Sequence, residues 1–523
     1  MKAPESEFSW LRNRGYLHIT PQVNLEKDRD KIISIVKNKN FVSRYAFFPL
    51  IHSTINERRY KRINADTNRR AHSFENEQGE TVKNIKSRPL HYASHLDAII
   101  FGYYAEIILE KYEEKLFSIP DLSDCVTAYR KISIDGENKN KGTIHFANDT
   151  FNEIRKRADK GCEVLKFDIK SFFSRINHNT LKCTWADLLG ADCLPADHYN
   201  VFKAATRFSY ILKDDFRIKQ NYCGKRSGFD EKKLARIRKK GVHSFFETVK
   251  DFRDEIKNGN LKIHQFPFRD KNGVPVGIPQ GLPISAALAN LYLLGFDIKI
   301  FDDLVKKLGA FYRRYSDDII IICQQEQANF IEDYIIKAIK ESKVEISTDK
   351  TERFLFEKNN QTLLSYKVVN GTKKVGVPFT YLGFEFYGNK TLIKSTNLSK
   401  FYRRMIKAVK IKSQRSLNVS MQNPNIPIAV FKHRLYKLYT KYPLNDTKIR
   451  TNYKRLIKND LGEYYYKITK KTRTNRSNYL SYVHRSADIM GEGSIRLQLR
   501  NHSRIFNDAI NKHIKKAKEL QYK

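Results

Sequence analysis

Phe311 to Tyr315 and Ile319 to Cys323 are two β-prone runs separated only by Ser316-Asp317-Asp318, and this short stretch constrains the fold more than any other. Runs so close together predict a hairpin, which then carries two adjacent carboxylates at its tip. A further carboxylate, Asp168, ends another short predicted strand, Val164 to Ile169. If the two strands are neighbours in one sheet, the three acids come together.

Such a group of acids has a use. Nucleotidyl transfer needs two divalent cations about 3.5 to 4 Å apart, one to activate the attacking hydroxyl and one to hold the triphosphate and the leaving oxygen. Hard cations take oxygen ligands, and Mg²⁺ uses few carboxylates alongside phosphate oxygens. Asp-Asp is equally ordinary turn chemistry, so Tyr315-Ser-Asp-Asp318 alone leaves both readings open. Gln280-Gly281 suits a place where backbone approaches a nucleotide closely, because glycine has no side chain in the way. A plain turn before a helix, Ser285 to Leu294, is the other reading.

The charge points to a polyanion. Lys and Arg number 97 against 57 acids, a formal net charge of +40, which in a soluble chain favours nucleic acid as partner. From Thr396 onward 30 basic residues face 7 acids, so this stretch holds +23 of the excess. There Leu398, Tyr402, Met405 and Val409 recur at helical spacing with Arg403, Arg404, Lys407 and Lys410 between them, and Phe431, Leu435 and Leu438 repeat the scheme. The six cysteines, at 125, 162, 183, 193, 223 and 323, form no Cys-x-x-Cys pair and read as reduced, separate thiols with no zinc site. Met1 to Trp10 holds Glu5 and Glu7 and no apolar core of a leader, and no apolar run is long enough to span a bilayer. A cytoplasmic protein with no membrane partner is the expectation.

Leu96, Ile99, Ile100, Tyr103, Tyr104, Ile107 and Ile108 predict a helix packed on a sheet. Val126 to Ile134 and Thr143 to Ala147 predict two strands around a basic turn, with Arg130, Lys131, Lys139 and Lys141 on the hairpin. Asn177 to Val276 reads as a long, charged, mostly helical insert, and Val375 to Phe386 as an aromatic strand pair. Three segments follow: a basic extension over 1–90 with clusters at 58–61 and 69–70, a central unit over 91–395 containing the insert, and a basic helical region over 396–523.

Three strings in order, Phe167-Asp-Ile-Lys-Ser-Phe-Phe173, Gly277-Ile-Pro-Gln-Gly-Leu-Pro-Ile-Ser285 and Tyr315-Ser-Asp-Asp318, together resemble the palm of reverse transcriptases. The resemblance covers about residues 90 to 390 and implies an α+β right-hand polymerase, with fingers, an antiparallel palm sheet with helices, and an α-helical thumb and C-terminal region. It implies catalysis by Asp168, Asp317 and Asp318, with Ile169 beside them in the metal set, and two Mg²⁺ per site that Mn²⁺ can replace. It places Arg130, Lys131, Phe173, Gln280, Gly281 and Lys350 around the nucleotide. Tyr381, Leu382 and Gly383 resemble the family's primer grip, which with Arg403, Arg404 and Lys407 would hold primer and template. A bulky aromatic such as Phe173, five positions after Asp168, excludes a 2′-hydroxyl in this family and so implies dNTP selection.

His95-Leu-Asp-Ala98, Ala128-Tyr-Arg-Lys131 and Asp168-Ile-Lys-Ser-Phe-Phe-Ser-Arg-Ile-Asn-His178 resemble the bacterial defence-associated and abortive-infection reverse transcriptases. That likeness implies an RNA-directed DNA polymerase in antiviral defence, with a dedicated noncoding RNA as template, a DNA product and dNTPs as substrates. Oligomeric state is left open, a homo-oligomer included. An RNA-binding, maturase-like cofactor and an RNA-directed RNA polymerase are the alternatives.

Overall fold

The computed structural model describes residues 8–58, 61–62, 70–75, 79–217, 228–369, 371–430, 432–440, 448–458, 464–474 and 477–521. Glu5, Glu7, Cys223, Phe431 and parts of the basic clusters at 58–61 and 69–70 lie outside these residues.

A six-stranded antiparallel sheet organises the centre. Its order is Thr372–Val375, Thr362–Val369, Glu352–Asn359, Cys162–Asp168, Asp318–Cys323 and Phe311–Tyr315. Successive residues of a strand point to opposite faces, and here both faces are covered. Leu165, Phe167, Ile319 and Ile321 enter one core, while Val164, Ile320, Ile322, Phe354 and Phe356 enter the other. The unbroken isoleucine run at 319–322 is thus what a strand buried on both faces requires.

The first core is closed by helices, among them His95–Phe117, His178–Leu188, Ala196–Thr206, Ser285–Tyr292 and Ala328–Glu341. The helix expected at Leu96–Ile108 therefore exists, started by Ser94, whose hydroxyl accepts the Asp97 N–H at 3.4 Å. Its neighbours are mainly other helices rather than a sheet. The second core lies under Thr143–Arg157, Ser395–Gln422, Tyr479–Met490 and His502–Gln521, with a small sheet of Phe379–Tyr381, Phe384–Phe386 and Thr391–Ile393.

A further sheet pairs Leu50–Arg58 antiparallel with Ile85–Tyr92 and parallel with Tyr210–Leu212. It joins the N-terminal segment to the insert, and its strand Ile85–Tyr92 runs across the boundary expected at residue 90. Among its described residues the insert also holds the helices Glu231–Lys239 and Val249–Lys257 after the two already named, and runs without a helix over 258–276.

Three expectations are corrected. Thr143 to Ala147 is not a strand but the start of the helix Thr143–Arg157, whose Ile144, Ala147, Phe151 and Ile154 are buried at helical spacing. Only the tight turn survives of the expected hairpin: Lys141 N–H bonds Ile132 O at 2.7 Å and Ile134 N–H bonds Lys139 O at 2.9 Å. The aromatic pair at 375–386 is shorter, since Val375 belongs to the six-stranded sheet. The region beyond 396 is not wholly helical, for Lys448–Lys458 and Tyr464–Thr474 form an antiparallel pair. Among the described residues, no helix is long and apolar enough to cross a membrane, and the five described cysteines are free.

Candidate active site

Backbone pairing fixes the three acids relative to one another. Asp318 stands directly opposite Asp168 in the antiparallel pair of Asp318–Cys323 with Cys162–Asp168. Directly opposed residues project to the same face of a sheet. Ile169 N–H bonds Asp317 O at 3.0 Å, and Ser347 N–H bonds Asp168 O at 2.7 Å. The turn before Asp317 needs Ser316 in the left-handed region, at φ 61°. It is braced from beneath by Arg314, whose Nη1 donates to Ser316 O at 3.2 Å, and from the side by Tyr129, whose hydroxyl donates to Ser316 Oγ at 3.3 Å.

Crowding carboxylates where water is scarce raises their proton affinity. Burial pushes Asp317 above the ordinary carboxylate range, with Asp168 adding to the shift. Asp318 is pushed up to about 6 by burial first and by the Asp317 charge next. The Lys350 ammonium bonds Asp168 Oδ2, so this carboxylate already presents an oxygen to a cation. Among the described residues no three His, Cys, Asp or Glu side chains converge closely enough to hold a metal as they stand. In donor chemistry, however, the set fits a hard divalent cation: three carboxylates in one another's field, two with raised proton affinity and one holding an ammonium.

A cavity of about 650 Å³ opens over Asp168 and Asp317, while Asp318, beside them, does not line it. It brings together Asp168, Ile169, Phe173, Gln280, Gly281, Asp317 and Lys350 from the expected set. Phe173 lines it half-buried, while its neighbour Phe172 is packed in the core. Gly281 sits at φ 115°, and a Cβ there would lie 2.5 Å from His91 O. Its neighbour Gln280 accepts the His91 N–H at 2.8 Å. The strand edge thus packs on this turn so closely that only glycine fits.

The cavity also holds two cations that the sequence reading missed, Lys86 and Arg88 on Ile85–Tyr92. Their alternate spacing puts both on one face of a strand, which is the signal that was available. Lys86 acts on the Asp317 charge, and Arg88 bonds Glu57 at 3.0 Å.

Arg130 and Lys131 are not in this cavity. The Arg130 side chain is 1% exposed and clamps Glu113 at 2.7 and 2.5 Å, while Lys131 is exposed on a separate cavity behind Tyr129 and Leu282. Tyr381 is buried, and Leu382 and Gly383 make the following turn at φ 42° and 95°. Arg403, Arg404 and Lys407 are exposed on Ser395–Gln422, whose Phe401, Met405 and Val409 face the second core.

Residues 238–386 match the family model described as reverse transcriptase (RNA-dependent DNA polymerase). Over that stretch the chain is similar to a reverse transcriptase domain. The matched residues include Gln280, Gly281, Asp317, Asp318 and Lys350, whereas Asp168 and Phe173 precede them. Among solved structures, apo telomerase from Candida tropicalis is similar at 13% identity over 63% of this chain and 50% of that one, with a TM-score of 0.35. Telomerase from Candida albicans, in complex with the TWJ fragment of telomeric RNA, is similar at 10% identity over 93% of this chain and 66% of that one, with a TM-score of 0.36. The chain spans half to two-thirds of the length of these proteins. No curated protein matches it.

Proposed function

We propose that the chain is an RNA-directed DNA polymerase that copies a bound RNA by nucleotidyl transfer, with Asp168, Asp317 and Asp318 as its metal-binding carboxylates. The observation that carries this reading is the pairing of Asp318 opposite Asp168 at a cavity walled by Lys86, Arg88 and Lys350. Two Mg²⁺, or Mn²⁺ in their place, would activate the primer hydroxyl and offset charge on the triphosphate. The protein's own part is to position. Lys86 and Arg88 neutralise phosphates from the cavity wall their strand forms, the backbone of the Gln280–Gly281 turn packed on that strand meets the nucleotide and template, and the Phe173 ring faces the sugar. Lys350, now on Asp168, occupies the carboxylate that would hold a cation. Arg130 braces the fold and is not assigned to the nucleotide.

In this reading 91–395 forms fingers and palm, 396–523 a basic thumb and RNA-holding region, and the strand pair at 50–92 a wall of the fingers. The likeness to defence-associated enzymes supports a cytoplasmic antiviral role with a dedicated noncoding RNA. The test is primer extension on an RNA template with Mg²⁺. Incorporation of dNTPs is expected, its absence on every template refutes the reading, and use of ribonucleotides alone selects an RNA polymerase instead.

Phe173→Val is expected to admit ribonucleotides with little loss of dNTP use, read as the ratio of kcat/KM for the two sugars. Unchanged discrimination would make Phe173 a packing residue. The exposed cations of Ser395–Gln422 should read phosphate. Changing Arg403, Arg404, Lys407 and Lys410 to Gln is expected to flatten the slope of log affinity against log salt by about 0.7 to 0.9 for each phosphate no longer neutralised. Equal slopes for variant and parent would remove this helix from the nucleic-acid surface.

A further inference from the structure

At the foot of Ser395–Gln422 a second pocket, of about 500 Å³, opens between that helix, Lys432–Tyr439 and Tyr479–Met490. Its walls are aromatic. Tyr479 stacks on Phe401 with ring centres 4.4 Å apart at 18°, Tyr482 lies 6.0 Å from Tyr479, and Tyr439 lies 5.9 Å from Phe401. The Tyr479 hydroxyl is buried and has no hydrogen-bond partner. Lys400 and Arg404 stand at the pocket, and among the described residues no Asp or Glu lines it and Arg404 has no ion-pair partner. Lys400 is held by Glu57.

The pocket is preformed. Asn478 Nδ2 donates to Lys437 O at 3.2 Å and Thr440 O at 3.1 Å, while its Oδ1 accepts the Ser481 N–H at 2.9 Å. One side chain therefore ties the end of one wall helix to the start of another. The pocket also adjoins the Leu382–Gly383 turn, because Asn397, which lines it, places Nδ2 3.2 Å from where a Gly383 Cβ would be.

Stacked rings, side-chain amides and a guanidinium without an ion-pair partner among the described residues suit a ligand that is flat, aromatic and anionic. An acidic peptide would satisfy Arg404 and leave the rings unused. We propose that this pocket captures one unpaired nucleotide of the bound nucleic acid, with its base against Tyr439 and Tyr482 and its phosphate on Arg404. The proposal rests on the nucleic-acid-holding part of the proposed function and adds a preference for a looped-out base. Tyr436, on the same helix as Tyr439, packs edge-on against Phe506 and does not line the pocket.

The test uses the full chain and two hairpins, one fully paired and one with a single looped-out 2-aminopurine, each made as RNA and as DNA. The looped-out form is expected to bind about tenfold tighter than the paired one, with quenched fluorescence, since stacking one base is worth about 1–3 kcal/mol. Tyr439→Leu and Tyr482→Leu should each erase the preference while affinity for the paired hairpin stays, and Tyr439→Phe should keep it. A preference seen with RNA alone, or with DNA alone, assigns the captured strand to that nucleic acid. Equal affinity for the two hairpins, or a preference that survives both leucine variants, overturns the proposal. Loss of binding to the paired hairpin by the unaltered chain would instead refute the nucleic-acid-holding reading beneath it.

Discussion

Asp168→Ala and Asp317→Ala are each expected to reduce Mg²⁺-dependent incorporation by at least about a thousandfold while leaving the chain folded. Charge stabilisation by bound cations is worth several kcal/mol of the barrier, and the acids that would hold them come from only two strands. Folding should not suffer at Asp317, because burial makes its charge unfavourable in the folded chain, and its neighbour Asp318 is under the same pressure. Asp318 titrates at about 6 in the folded chain, pushed up by burial and by Asp317. Between the ordinary carboxylate value and 6 the unfolded chain therefore ionises first, and stability falls as pH rises through that window. Asp318→Asn should accordingly raise Tm, most above pH 6 and hardly at all near pH 4. Primer extension and thermal unfolding measured on the same preparations separate the two effects. Undiminished synthesis by an Asp168→Ala/Asp317→Ala double variant would end the polymerase reading, and a lower Tm for Asp318→Asn would deny the crowding.

What the sequence revealed of this site was what local pattern can encode. The hairpin at 311–323 combined two β-prone runs with a turn of the right length, and the strand ending at Asp168 lay within its own short run, so the two strands could be read separately. Their adjacency could not be read from either, and it came from the three ordered strings. Arg130 shows the opposite case. On a basic turn it looks free, but its partner Glu113 is 17 residues away on the helix His95–Phe117, and nothing in the local sequence reports a partner at that distance. Lys86 and Arg88 were missed for a related reason, since their strand becomes a cavity wall only by packing on the Gln280–Gly281 turn far along the chain.

Thr143 to Ala147 was misread because five residues are too few to tell period 2 from period 3.6. Only when Phe151 and Ile154 are included does the helical face emerge, and Gly142 then supplies the start, with its N–H bonding His145 Nδ1 at 3.1 Å. The strand pair at 448–474 was hidden by its composition: so many Lys and Arg suit any exposed element and favour none.

The same limit applied to the residue beneath the acids. Arg314 and Asp297 are both fully buried, joined through Nε–Oδ1 at 2.7 Å and Nη2–Oδ2 at 2.5 Å. Burial would lower the Arg314 pKa, but the Asp297 carboxylate more than offsets this and holds the guanidinium charged. Its remaining Nη1 reaches Ser316 O at 3.2 Å and Asn290 Oδ1 at 3.3 Å, and Asn290 in turn donates to Ala128 O at 2.8 Å, next to Tyr129. Arg314 is therefore a positioning residue for the turn that presents Asp317 and Asp318. Arg314→Met should destabilise the chain by about 3–5 kcal/mol, because it leaves Asp297 buried without its partner. Arg314→Met/Asp297→Asn removes that stranded charge and keeps an acceptor for the Tyr312 hydroxyl, which now bonds Asp297 at 2.5 Å, so most of the stability should return. Synthesis should not return with it, since Ser316 O still lacks its charged donor, a bond worth about 1.5–3 kcal/mol and hence roughly ten- to a hundredfold in rate if the turn relaxes. The loss should fall on kcat and on the Mg²⁺ requirement more than on KM for dNTP. A double variant that regains both stability and synthesis would show that Arg314 only fills and neutralises the core.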